Sequence, residues 1–231
     1  MNRPFLPFLI LVTLLQSGIA FGVDSYAVEP APPASFKAIS NELARGLDPH
    51  GVQVVGYLGG RKVPVCNVWW RAKVKLRRQR GDRDRVYPAF QNDELLGVIQ
   101  YLVPTEDFQH HGIKPGFYSL RYADLDQDDS DEVTSPYPDF AILSPIWADH
   151  DANDVVPMQE LLKRSRFVTH EDDPAVLSLV PSNPAYRKLP WVISDDKGFC
   201  TLQVVVSAES MARTIPLAVI VIRPPHENEG S

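Results

Sequence analysis

The densest run of carboxylates in the sequence spans residues 124–132, where Asp124, Asp126, Asp128, Asp131 and Glu132 are the candidate ligands. Clustered carboxylates are hard oxygen donors, and the cation they suit is Ca²⁺. The run does not fit an EF-hand. A register starting at Asp124 puts Asp129 where Gly is needed and Ser135 where Glu is needed. The plain reading is an acidic loop between two strands, with Ca²⁺ as the one cofactor it would take.

The six histidines are His50, His110, His111, His150, His170 and His226. Neighbours on one strand point apart, so His110 and His111 do not converge on one metal. Asp149–Asp151 and His170–Asp172 supply ligand types without a recognised zinc or copper spacing. There is no His-Glu-x-x-His, no Gly-x-Ser-x-Gly elbow and no phosphate-cradling loop ending in Lys-Ser/Thr. Catalytic residues are therefore not assigned.

Charge is distributed unevenly. Residues 61–85 hold ten Lys/Arg against Asp82 and Asp84, a local excess of +8 within a chain of net charge −6. Strand alternation puts Trp69 on one face with Arg71, Lys73 and Lys75, and Arg77, Arg78 and Arg80 follow. A Trp ring beside cations stacks on a sugar or receives an anionic surface. These seven residues are the candidate partner-binding face. The alternative is an edge strand whose basic side chains discourage edge-to-edge pairing.

The elements that would carry these groups are mostly strands. Val52–Tyr57 and Val63–Leu76 flank Gly59 and Gly60 as a hairpin. Leu95–Val103, Phe117–Ala123, Phe140–Leu143, Val176–Val180, Trp191–Ile193, Phe199–Ala208 and Ile215–Ile222 follow. Phe36, Ile39, Leu43 and Leu47 recur at helical spacing with Ser35 as N-cap, and Met158–Phe167 is a second short helix. Many short strands without a βαβ rhythm predict a mainly β protein. The expected architecture is an antiparallel β-sandwich of immunoglobulin or transthyretin type with one or two short helices.

Arg3 followed by the apolar run Phe5–Leu15 and small residues at Ala20 and Gly22 reads as a secretory signal over residues 1–22. The expected division is a Pro/Ala-rich linker over 23–35, one β-rich domain over 36–223 and a flexible tail over 224–231. Export to the periplasm or medium makes a Cys66–Cys200 disulfide the expected state. In the chain-entropy model it adds up to about 4–5 kcal/mol. Alternation points both cysteines into the core, and two buried thiols are the alternative.

The phrases Val63–Arg71, Leu96–Gln100, Gly112–Tyr122, Ser135–Pro145 and Pro174–Leu179, in this order, resemble a family of exported bacterial β-rich proteins of unknown function. The resemblance implies a β-rich exported domain over roughly residues 50–222 and brings no activity or site residue with it. The acidic balance and export leave nucleic acid without support as a partner. The expectation is a non-enzymatic, non-transmembrane binding module or assembly subunit. Its partner would be a protein, a second copy, an acidic surface or an envelope glycan. The alternative is a metal-dependent or carbohydrate-active enzyme, or a calcium- or carbohydrate-binding accessory module, built on the acidic and His-bearing loops.

Overall fold

A computed structural model describes residues 23, 25–33, 38–77, 85–124, 137–185, 188–195, 197–209 and 213–223. The signal segment, the N-cap expected at Ser35 and the tail lie outside these residues.

The chain is mainly β. Its strands are β1 (Ser25–Pro30), β2 (Val52–Leu58), β3 (Arg61–Trp70), β4 (Leu95–Tyr101), β5 (Thr105–Glu106), β6 (Gly112–Ile113) and β7 (Gly116–Asp124). They continue with β8 (Asp139–Pro145), β9 (Val176–Val180), β10 (Trp191–Ser194), β11 (Cys200–Ser207) and β12 (Thr214–Ile222). Ten of them form one antiparallel sheet in the order β1-β2-β3-β4-β7-β8-β9-β12-β11-β10, while β5 and β6 pair separately. The edge strands β1 and β10 come side by side, so the sheet curls into a nearly closed barrel. The antiparallel β character is as expected, but the strands make one continuous sheet where two stacked sheets were expected.

Alternation explains the curl. Cys66, Val68 and Trp70 of β3, Tyr118, Leu120 and Tyr122 of β7, and Cys200, Leu202, Val204 and Val206 of β11 all belong to a single interior cluster. A sheet that buries one face against itself needs no second layer there. Residues 85–91 add Tyr87 and Phe90 to this interior. The Tyr87 hydroxyl donates to the Val180 carbonyl (2.8 Å) and accepts from the Ala218 amide (2.8 Å). It thereby bridges β9 and β12, whose own register covers only two residue pairs.

The expected linker is in part a strand. Ser25–Pro30 pairs in register with Val52–Tyr57, and Tyr26 and Val28 pack against the interior cluster. Apolar residues alternating between Pro and small neighbours are enough once a free edge is available to template them. The Gly59-Gly60 hairpin forms as expected, with φ of 54° and 76°. Two successive positive φ values suit a two-residue turn that matches strand twist, and glycine adopts them without strain.

Two helices cover parts of the outer face. In α1 (Asn41–Arg45) the Ser40 side chain accepts from the Leu43 amide at 3.0 Å, the usual N-cap bond. Leu43 buries with Leu47, Trp69, Leu95 and Val98. The longer α2 (Met158–Thr169) sets Leu161 and Leu162 onto Phe140, Ile142 and Val176 of β8 and β9, and stops at left-handed His170.

Candidate functional site

The expected binding face on β3 is corrected by burial. Trp69 is 1% exposed and stacks on Phe117 (centroids 6.3 Å apart) beneath α1. Alternation placed it correctly opposite Cys66 and Trp70, but α1 turns that outer face into a second core. Arg71 is buried as well. It pairs with buried Glu94 (3.2 Å), donates to the Lys73 carbonyl (2.7 Å) and the Asn153 side chain (2.8 Å), and reaches the Ala152 carbonyl. Lys73 is exposed and Lys75 is half-buried. Arg77 and Arg85 both pair with the carboxylate of Asp124, which is 6% exposed. The basic and acidic stretches therefore meet each other at this point, and Asp124 is occupied by guanidinium groups. Arg78 and Arg80, together with Asp126, Asp128, Asp131 and Glu132, lie outside the described residues. Among the described residues no group of three or more His, Cys, Asp or Glu side chains is arranged to hold a metal ion.

Cys66 and Cys200 both face the interior and are fully buried, as alternation predicts, but they are free thiols and the expected bridge is not formed. Burial pushes the Cys66 thiol up to about 12 and raises that of Cys200 further. Neither is a nucleophile near neutral pH.

Below the 149–156 segment lies a dense polar network. Arg121 of β7, 1% exposed, makes a bidentate pair with Asp149 (both contacts 2.7 Å). It also donates to the carbonyls of Asp93 (2.7 Å), Asp154 (3.0 Å) and Asp151 (3.2 Å). Burial works against its charge, and Asp149 more than offsets that, so its pKa is raised. Burial likewise raises Glu94, to about 7, against its contacts with the Lys75 amide and Arg71. Arg121 and Arg71 hold residues 149–154 to the barrel, and Glu94 supports Arg71.

The seam between β1 and β10 is different. An open cleft of 680 Å³ lies between the Pro30 end of β1 and the Trp191 end of β10. Val28, Pro30, Val52, Leu189, Pro190 and Trp191 line it, and Trp191 is 46% exposed. Of its polar lining residues, Glu29 is paired with Lys62, and His50 Nδ1 lies 3.0 Å from Asp48 Oδ1. Lys188 completes the rim and is exposed. A further recess of 190 Å³ continues from it past His50 and Leu189 toward Val204 and Val206. The 680 Å³ of the cleft matches pockets that hold small organic ligands, about 300–1,000 Å³. Sequence reasoning missed the cleft because its walls come from strands far apart in the chain. The single local signal was Trp191 next to Leu189 and Pro190.

No helix among the described residues is long and apolar enough to cross a membrane. Comparison of the chain with protein-family models, with curated proteins and with solved structures finds no match.

Proposed function

We propose that the protein is an exported, non-enzymatic binding protein that seats a small amphipathic molecule in the seam of its barrel. The observation that carries this reading is the 680 Å³ cleft, walled by apolar side chains from both free edges of the sheet. A half-exposed Trp at a concave apolar wall is a costly surface for an unliganded protein to present and a productive one for binding. The polar rim of Glu29, His50 and Lys188 orients the ligand's polar end toward solvent. Export follows from the N-terminal sequence alone.

The test uses a Trp147→Phe background, because Trp147 and Trp191 are the exposed tryptophans among the described residues. Dodecanoate and anilinonaphthalene sulfonate are titrated against Trp191 fluorescence. The expected result is saturable one-site binding, weakened about tenfold or more by Leu189→Asp, in keeping with the roughly 1.4 kcal/mol behind each factor of ten. Linear, unsaturable quenching unaffected by Leu189→Asp would refute the reading.

A further inference from the structure

The two edges that meet at the seam restrict what can occupy it. Every pairing in the ten-stranded sheet is antiparallel, so direction alternates from β1 to β10. The two edge strands therefore run antiparallel to each other. One extended peptide laid between them would be parallel to one edge whichever way it entered. Pro30 ends β1 and Pro190 directly precedes β10, and neither has an N–H to give to a ladder. Both prolines line the cleft. At this end the edges thus offer a peptide little of the backbone pairing by which strand addition binds. What they offer is apolar side-chain surface, from Val28 and Val52 on one wall to Leu189 and Trp191 on the other.

Charge at the mouth selects the polar end of the ligand. Of the residues that line the cleft, Glu29, His50 and Lys188 are the ionisable ones. The Glu29 carboxylate is neutralised by an ion pair with Lys62 of β3. His50 is engaged with Asp48, whose Oδ1 accepts from the His50 amide (2.8 Å) and lies 3.0 Å from Nδ1. Lys188 is exposed at the rim and makes no ion pair with any described residue. Apolar walls and one uncompensated cation are what the cleft presents.

We infer that the seam selects an amphiphile with an aliphatic chain and an anionic head, a carboxylate or a phosphate, seated against Lys188. This rests on the seam being a ligand site, as proposed above, and adds the sign of the ligand's charge. The chain lies along the apolar walls and removes them from water. The head stays at the mouth, where it keeps its hydration and avoids the cost of a buried charge. A lysine suits that position, because its flexible stem carries a compact charge to a head that is not held in one orientation. An ammonium head would instead meet a like charge.

The test compares dodecanoate, dodecanol and dodecylammonium, which share one chain length and differ in the charge of the head. Each is titrated below its micellar concentration into the Trp147→Phe protein at neutral pH and low salt, with Trp191 fluorescence as the readout. Dodecanoate should bind about fivefold more tightly than dodecanol, as suits a solvent-exposed ion pair. Dodecylammonium should bind more weakly than either. Lys188→Gln should bring dodecanoate to the dodecanol level, Lys188→Arg should keep the preference, and added salt should erode it. Dodecyl phosphate against dodecanoate then separates the two heads. Three equal, saturable affinities would overturn the inference and leave the seam reading standing. A preference that survives Lys188→Gln, or one for the ammonium head, would overturn it as well. If none of the three saturates, the seam reading fails and the inference falls with it.

Discussion

The outer face beneath residues 149–156 and the seam between β1 and β10 both interrupt a regular barrel, and they are built in opposite ways. Under the 149–156 segment, two buried arginines have their hydrogen bonds met by Asp149, Glu94 and several carbonyls. At the seam, apolar side chains stand half-covered around open volume. Charge buried with all its partners is architecture, whereas apolar surface left concave and uncovered is available to something else. The charges most conspicuous in the sequence, Arg71 and Asp124, belong to the first kind.

The contrast makes unequal demands on mutation. The largest effect is expected at Arg121→Met, which strands Asp149 as a buried, unpaired charge and costs about 3–5 kcal/mol in urea unfolding. Replacing both partners, Arg121→Met with Asp149→Leu, should recover much of that loss. Equal instability of the single and double variants would mean that the carbonyl contacts of Arg121, and not its ion pair, hold the segment.

Next in size is a pH effect at Glu94. Burial raises its folded-state pKa to about 7, from the 4.5 that is ordinary for a glutamate. Between these values the folded state holds more protons than the unfolded state, so stability falls as pH rises. The contribution is complete below the unfolded pKa and is lost as pH passes through the folded one. It amounts to roughly 2–3 kcal/mol at most. Denaturation midpoints measured from mildly acidic to mildly alkaline pH should decline, and Glu94→Gln should flatten the decline. Arg71 keeps its three carbonyl-type acceptors when Glu94 is protonated, which is why the protonated state is tolerated.

Smaller still is Cys66→Ser, which places a hydroxyl in the apolar interior and costs about 1–3 kcal/mol. In the native protein neither Cys66 nor Cys200 should react with a thiol reagent, and both should react on unfolding. The seam gives the smallest effect on stability. Trp191→Ala should shift unfolding by no more than about 0.5 kcal/mol, yet weaken dodecanoate binding. A Trp191→Ala protein that unfolds much more readily would make the seam another piece of architecture and erase the contrast.

Strand positions were largely legible in the sequence, because a strand that buries one face writes its period of two into adjacent residues. Val176–Val180 is found at its expected bounds, Phe199–Ala208 exceeds β11 by one residue at each end, and Ile215–Ile222 falls one residue short of β12 at its start. Two elements were not legible. β1 was hidden among prolines and small residues and becomes a strand through its pairing with β2. The β5–β6 pair is only two residues long on each side, too short to show any period. The cluster of His111 with Glu171 and Asp173 had a partial signal in the residue types of 170–173. Its member on the β5–β6 turn lies some sixty residues earlier in the chain.

By itself, the sequence determined that this chain is β-rich, where most strands run, and which side chains share a face, because these follow from local alternation. Only the tertiary structure decided what covers each face. Trp69 and Arg71 sit on the side that alternation assigns, yet α1 and residues 149–156 bury them. The curling of one sheet into a nearly closed barrel, the cleft left where β1 and β10 do not join, and the meeting of Asp124 with Arg77 and Arg85 are likewise tertiary outcomes. Each depends on contacts between residues far apart in the chain, and local spacing carries no information about those.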